Sequence, residues 1–390
     1  MMGRMGRLRF VPGVWVCLVG SAGADPIVDR DYAIELYEGV AIGDSSQTGT
    51  GGAGAARIVG SAGTLLNPSA PAVRKTTDND RWSWDYHLDF LTGRYSSDYD
   101  NNGVPAVEDS GASLVTAGLA LRFGDWAGAF TVTAQTAPVD GATPALDAGA
   151  VRGKLVFARY LQGADLSIGV GLQTVSFQLK PTEGTEPLFS ITGAGAVAGA
   201  TWLPRNESFR VGIALESKIV SGKVQTETCD PMNCQGFILP NSIESPARSI
   251  IGMAYRWAPT AWNQQVKPKY RDEHSVTFEA DLVVTGTSAN GNGIEGFAMQ
   301  ELQPSGRTIT VSPRGGAEVE ALPGRLRVRA GSYWEPARFD NVGGRIHGTF
   351  GFEVRALEFR LWGLRRGRLG ATLDIAARYR NLGLSVGFWH

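Results

Sequence analysis

Trp82-Ser83-Trp84-Asp85-Tyr86-His87-Leu88-Asp89-Phe90 places five aromatic or apolar side chains on one side of an extended chain, and Ser, Asp, His and Asp on the other. Side chains of a β-strand point alternately to opposite faces, so this strict period of two reads as a strand with one greasy and one charged face. A soluble sandwich buries such a face once, whereas a barrel in a bilayer shows it to lipid all round its wall. Recurrence decides between them.

The pattern does recur. Val151-Leu155-Phe157 stand against Arg152 and Lys154, Phe209-Val211-Ile213-Leu215 against Arg210, Glu216 and Lys218, and Ile251-Met253-Tyr255-Trp257 against Arg248 and Arg256. Val276-Phe278-Ala280-Leu282 face away from Glu279 and Asp281, Ala317-Val319-Ala321 from Glu318 and Glu320, and Leu326-Val328-Ala330 from Arg327 and Arg329. Ile346-Phe350-Phe352-Val354 alternate with Arg345, His347, Glu353 and Arg355. Charges of both signs on one face can pair across a wet lumen, whereas on a lipid face each would cost ~2–4 kcal/mol at mid-membrane. The chain therefore reads as an all-β, up-and-down antiparallel transmembrane barrel of about fourteen strands.

These strands are expected near 81–94, 113–123, 126–137, 148–161, 166–180, 189–203, 209–226, 247–258, 272–287, 308–322, 326–337, 344–356, 371–379 and 382–389. Short turns fall at Gly124-Asp125, Gln162 to Asp165, Pro204 to Ser208 and Pro323-Gly324, and long polar loops at 95–112, 227–246 and 288–307. Short turns on the periplasmic side and long loops outside are the outer-membrane habit. Connections near 259–271 and 357–370 break that rule on the short side, and the last pair, joined near Arg380-Asn381, breaks it on the long side. In 166–180 the apolar parity slips from Leu166-Ile168-Val170-Leu172 to Val175-Phe177-Leu179, which reads as a bulge or as two differently facing halves. The nearly all-Gly/Ala stretch 191–201 would let another backbone come close.

Ahead of the strands, Arg4, Arg7 and Arg9, an apolar run from Phe10 to Val19 and the small residues Ser21 to Ala24 read as a secretory signal peptide, residues 1–24. That run is too short for a spanning helix, which needs ~20 residues. Residues 25–80 are expected to form a periplasmic N-terminal segment and a plug, and 81–390 the barrel. The plug is read from Ala53 to Arg74, where apolar residues do not alternate: Ile58, Val59, Leu65 and Leu66 are its candidate ligand contacts, or equally its packing against the wall. Asn67-Pro68 reads as a turn, because Pro68 restricts Asn67 to extended geometry and Asn supplies a local hydrogen bond.

Composition excludes other classes. Lys and Arg number 37 against 38 Asp and Glu, so nothing calls for nucleic acid. Cys17 leaves with the signal, and Cys229 and Cys234 form a close pair suited to a disulfide in an exported protein. No cofactor is expected, with one possible exception. Asp98, Asp100, Asn102 and Asp109, with Gly103 between, match the oxygen spacing of a calcium loop, although Pro105 interrupts it and a plain solvated loop fits the same residues. The Gly49 to Gly54 cluster lacks the Lys-Ser/Thr of a phosphate loop. No Gly-x-Ser-x-Gly elbow occurs, and inward His87 and His347 beside Asp85, Asp89 and Glu353 read as salt-bridge lining, so an enzyme is not expected.

The chain ends on Leu382-Leu384-Val386-Phe388 alternating with Gly383-Ser385-Gly387, then Trp389-His390. An aromatic-ended last strand resembles the signal by which bacterial outer-membrane barrels are recognised for insertion, so the assembly machinery is an expected partner; the extra His departs from that signal. The leader, the stretch Arg57-Ile58-Val59-Gly60-Ser61-Ala62-Gly63, the turn Asn67-Pro68-Ser69-Ala70 and about fourteen strands together resemble the FadL-type outer-membrane channels. Ser69 stands where that family has Ala. The resemblance implies an N-terminal hatch inside the barrel, sideways exit through a gap in the wall, and passive uptake of long-chain fatty acids or other hydrophobic small molecules by a monomer in the outer-membrane lipid of a Gram-negative-type bacterium. A non-transporting barrel whose long loops bind a partner, and a general porin, are the alternatives.

Overall fold

A computed structural model describes residues 25–36, 43–73, 81–92, 98, 100–103, 112–139, 141–184, 186–224, 226, 229–266, 270–360 and 364–389. The leader 1–24, and with it the expected signal peptide, lies outside them, as do Asp109 and His390. Fourteen antiparallel strands close a barrel: β1 Trp82–Thr92, β2 Ser113–Phe123, β3 Trp126–Val139, β4 Leu146–Leu161, β5 Leu166–Pro181, β6 Phe189–Trp202 and β7 Phe209–Glu216. They continue as β8 Arg248–Trp257, β9 Ser275–Thr285, β10 Thr310–Leu322, β11 Leu326–Glu335, β12 Arg345–Arg360, β13 Leu364–Ala376 and β14 Tyr379–Phe388. β14 closes on β1 from Leu382 opposite Thr92 to Gly387 opposite His87.

Alternation becomes surface. Phe157, Val170, Leu172, Met253 and Ile346 are all more than half exposed outward, while Asp85, His87, Arg210, Glu279, Asp281 and Glu353 point in and are buried. In water that outer belt would forgo about 25 cal/mol for every Å² of apolar surface left wet, and a bilayer removes the cost. Trp82, Phe123, Trp126, Trp202 and Trp257 are exposed at the ends of their strands, all on the short-turn side, as an interfacial aromatic girdle requires. Arg81 lies over Phe123 and Arg159 over Trp126, each 4.8 Å from the ring centre. The tight turns there use positive φ at Gly124 (60°) and Gly324 (65°).

Several boundaries differ from expectation. The strand expected over 209–226 ends at Glu216, and Ile219–Val220 joins a separate four-stranded sheet with Ser242–Ser245, Ala33–Glu35 and Gly291–Asn292. The long connection expected at 357–370 is strand: β12 runs to Arg360 and β13 starts at Leu364, with a register shift between Arg355 and Leu357. The charge-rich sequence there looks like a loop, but Arg366 pairs with Asp272 and Glu358, so the charges are used at the rim. Tyr379 pairs with Ala376, so the last hairpin turns at Ala377-Arg378, Arg378 taking a φ of 58°, and not at Arg380-Asn381. In β5 no register shift occurs against either neighbour, so the parity slip is not a bulge. Ile168, Val170 and Leu172 face out while Val175, Phe177 and Leu179 face in: the apolar side changes, not the strand.

A second correction concerns the N-terminus. Residues 25–36 were expected on the periplasmic side, yet they sit at the long-loop end. Ala33–Glu35 pairs with Ser242–Ser245 and Gly291–Asn292, Ile27 N–H donates to Gln300 O (2.9 Å), and Arg30 donates to the carbonyls of Val224, Leu239 and Pro240. No described helix is long and apolar enough to cross a membrane.

Candidate functional site

Residues 43–73 run through the lumen, and the wall's inward side chains hold them from every quarter. Their few helical turns, Ser45–Gly49, Gly60–Gly63 and Ala70–Ala72, are too short to bond themselves fully. Wall carboxylates therefore accept the spare N–H groups: Asp281 takes Gly54 N (2.9 Å) and Ala55 N (3.0 Å), Asp85 takes Ser61 N (2.9 Å) and Asp89 takes Ser45 N (3.0 Å). Arg57 pairs with Glu279 at 2.7 Å and with Glu318 at 3.3 Å, and Lys154 donates to Leu65 O at 2.8 Å while pairing with Glu216 at 2.6 Å.

Wall glycines admit the backbone where it touches. A Cβ on Gly199 would strike Asn67 Oδ1 and sit 2.8 Å from Pro68 Cδ, one on Gly169 would strike Pro68 O, and one on Gly316 would lie 2.6 Å from Thr50 O. The Gly/Ala stretch of β6 thus has the luminal chain as its close neighbour. Asn67 Nδ2 donates to Ala55 O (3.0 Å), Ala200 O (3.1 Å) and Thr201 Oγ1 (3.1 Å), and its Oδ1 accepts from Ser69 N (3.0 Å) and Oγ (2.8 Å). Asn67-Pro68 is thus both a turn and the joint to the β5–β6 wall.

The four apolar candidates separate. Leu66 packs into the wall with Ala55, Ala214, Ile250 and Val283, whereas Ile58 and Val59 line a cavity below the segment. Leu65 is half-buried and offers its carbonyl to Lys154.

The lumen differs above and below the segment. Above it, at the long-loop end, the largest apolar cluster joins Leu146, Phe177, Leu179 and Phe189 of the wall to Ile27, Tyr32 and Ile34, to Leu239 and Ile243, and to Phe297 of the helix Ile294–Met299. Cys229 and Cys234, disulfide-bonded with their Cα atoms 5.1 Å apart, brace one loop of this cluster. Burial raises the Tyr32 hydroxyl well above its ordinary pKa, and it donates to Ile238 O at 2.5 Å. Below the segment lies a cavity of ≈ 190 Å³ bounded by Ile58, Val59, Arg210, Arg256, Arg329, Glu353 and the aromatics Trp262, Tyr270 and Trp389.

Trp262, Tyr270, Arg271 and Asp272, from the described parts of the connection between β8 and β9, floor this cavity. Asn263 Nδ2 grips Pro204 O (3.0 Å) and Phe209 O (2.9 Å), and Tyr270 OH reaches Leu364 O of β13 at 2.9 Å. Its length, the one lasting breach of the short-turn rule, was the sequence signal for Trp262, Asn263 and Arg271, which motif reading passed over. Burial, then the charge of Arg256, lowers the Arg271 pKa, and Glu273 opposes them.

Of the calcium-spaced residues, Asp98 accepts Asn102 N (2.8 Å) and Gly103 N (2.9 Å), and Asn102 Nδ2 donates to Glu295. Burial, then the charges of Glu295 and Asp98, raise Asp100 well above an ordinary Asp. Asp109 lies outside the described residues. The inward histidines are held in lattices: His347 between Asp374 (2.8 Å) and Glu335 (2.9 Å), and His87 on Ser61 Oγ (2.9 Å), the serine in turn donating to Asp85 (3.1 Å).

No protein-family model matches the chain, and no curated protein does. Among solved structures it is similar to a FadL homologue from Pseudomonas aeruginosa, at 14% identity and a TM-score of 0.53, covering 90% of this chain and 98% of that one. The fold is that of the FadL-type channels. CymD, a monoaromatic hydrocarbon channel, matches with the same figures, and the toluene transporter TbuX of Ralstonia pickettii matches at 11% identity and a TM-score of 0.50, over 88% of this chain and 97% of that one. At such identities what is shared is the architecture, and this barrel carries its own luminal side chains.

Proposed function

We propose that the chain is an outer-membrane channel for passive uptake of hydrophobic small molecules, with residues 43–73 as the gate. The observation that carries this reading is the change of apolar side in β5. In the upper barrel Phe177 and Leu179 face the lumen and, with Phe189 and Phe297, make a greasy interior under the outer loops. Capture there gains ~0.8 kcal/mol per buried methylene, which a polar porin lumen does not offer. The solved neighbours support the same class, being a FadL homologue, a monoaromatic hydrocarbon channel and a toluene transporter.

Long-chain fatty acids and single-ring aromatics both belong to that class. The lower cavity favours the smaller cargo, since about 150 Å³ holds a benzene ring and this cavity has ≈ 190 Å³. Uptake into proteoliposomes tests the proposal: toluene and a long-chain fatty acid should each enter faster through wild-type barrels than through barrels carrying Phe177→Asp. Equal rates in protein-free vesicles and wild type would sink the channel reading in favour of a loop-binding barrel.

A further inference from the structure

The lipid-facing side of the wall is not the same all round at its short-turn end. There β5 to β8 turn the uncharged Ile168, Trp202, Val211 and Trp257 outward. Between β1 and β4 two guanidiniums stand at that level. Trp82 of β1, Phe123 of β2, Trp126 of β3 and Arg159 of β4 lie directly opposite one another in register, one row across four strands. Arg81, next to Trp82, lies over Phe123, and Arg159 lies over Trp126, so the two cover adjoining rings.

Among the described residues neither guanidinium has a hydrogen-bond or carboxylate partner. The carboxylate of the turn between β2 and β3, Asp125, accepts from Gln162 Nε2, 2.9 Å from both oxygens. Arg81 is tied in place through its backbone, its carbonyl accepting from Gly124 N at 2.7 Å. Stacking holds a guanidinium plane against the ring and leaves its N–H edge open, and that edge fits a phosphate. Aromatic girdles lie at headgroup level, where phosphodiesters are the anions within reach.

One step deeper into the belt the outward residues are Leu121, Gly128 and Phe157, again opposite one another. Leu121 and Phe157 are 55% and 61% exposed, and Trp126 and Phe130, before and after the glycine on β3, are 58% and 52% exposed. Gly128 is therefore the bottom of a notch with four apolar walls. Packing does not require the glycine: a Cβ there would meet Val156 O at 3.7 Å and the Phe157 ring at 3.8 Å, ordinary contacts. Leu121 and Phe157 stand two strand spacings apart, roughly 10 Å, which leaves room for one hydrocarbon chain between them.

We propose that the outer wall of β1 to β4 binds one anionic phospholipid of the short-turn leaflet, its phosphodiester on Arg81 and Arg159 and an acyl chain in the Gly128 notch. This lipid coats the wall and is not cargo, so the site goes beyond the channel reading and does not depend on it. The guanidiniums select by headgroup: phosphatidylglycerol offers a phosphate with no cation of its own, whereas phosphatidylcholine brings a quaternary ammonium that competes for the same phosphate.

Native mass spectrometry of the detergent-purified barrel, titrated with phosphatidylglycerol, with phosphatidylcholine of the same acyl chains and with inorganic phosphate, tests this. The expected result is one retained phosphatidylglycerol per barrel, bound at least about tenfold tighter than phosphatidylcholine, the difference shrinking as salt rises. Arg81→Gln with Arg159→Gln should abolish that preference and leave phosphatidylcholine unchanged, while Gly128→Leu should weaken both lipids several-fold. Arg205→Gln, at an exposed guanidinium paired with Asp165 at 2.5 Å, is the control and should alter neither. Heat-modifiable mobility on gels shows that each variant is folded. Equal retention of the two lipids, or a preference that survives in the double variant, overturns the site. Displacement of phosphatidylglycerol by inorganic phosphate at equal concentration overturns it in favour of a simple anion site, and undiminished lipid binding in Gly128→Leu overturns the notch.

Discussion

The apolar cluster at the upper end of the lumen and the cavity at its lower end are lined from different strands of one wall, and they differ in chemistry. Above residues 43–73, on the β4–β6 side, the inward side chains are Leu146, Phe177, Leu179 and Phe189, covered by loops and by the N-terminal residues 25–36, while elsewhere on the wall Glu335, Arg345, His347 and Asp374 form a buried charged lattice. Below, they are Arg210, Arg256, Arg327, Arg329, Glu318, Glu320 and Glu353 around a cavity. The difference teaches that one barrel wall can carry an apolar patch at one end and a charged cavity at the other without any change in the direction its side chains point.

Breaking the upper half should have the largest effect. Phe177→Ala empties the centre of the apolar cluster and is expected to cost about 4 kcal/mol of local stability, read as faster hydrogen exchange in 232–243 with the lower barrel unchanged. Uniform exchange throughout would show that the two halves are not separate units. Arg57→Leu strips a buried partner from Glu279, whose side chain is 1% exposed, and should weaken docking of the luminal segment by about 3 kcal/mol. Planar-bilayer conductance is the readout: a rise in open events is expected, and a silent barrel would mean that the segment does not gate. Gly199→Val drives a side chain into the Asn67-Pro68 turn, an overpacking of about 2 kcal/mol that should raise conductance less than Arg57→Leu does.

Smaller effects sharpen the comparison at the outer rim. Asp100 has a folded pKa raised above 3.8, so the folded loop binds more protons than the unfolded chain between those two values. Its stabilising contribution is therefore full below 3.8 and is lost as pH rises through the folded pKa. Limited proteolysis of the loop should quicken from acidic toward neutral pH, and Asp100→Asn should flatten the profile. Added calcium slowing cleavage at neutral pH would mean that a cation can replace the proton, and no slowing would leave the Asp98 loop as a solvated one. Arg307→Ala, at an ion pair with Asp340 in which both side chains are more than half exposed, should shift thermal stability by less than about 1 kcal/mol and leave uptake alone.

Much of the barrel was legible because period two is enforced residue by residue by the pleat and by lipid. Trp82 to Phe90, the turns at Gly124 and Gly324, and the inward places of Asp281 and Glu353 follow from local pattern. The glycines of β6 announced a close neighbour because only the missing side chain admits a backbone. Where apolar residues turned inward, as at Phe177, the same rule misled, since alternation marks two faces without saying which one meets water. The charged stretch from Leu357 to Arg368 looked like a loop because its partner Asp272 comes from another part of the chain.

By itself, then, the sequence determined a closed β-barrel with an apolar outer belt, because that is written in neighbours one or two residues apart. Tertiary structure decided the rest. It carried residues 25–36 to the outer end, gathered Phe177, Leu179 and Phe189 into one apolar cluster, and set Arg210 against Trp262 and Asn263. These depend on contacts between segments tens to hundreds of residues apart, where burial and charge are properties of the assembled neighbourhood and no local pattern records them.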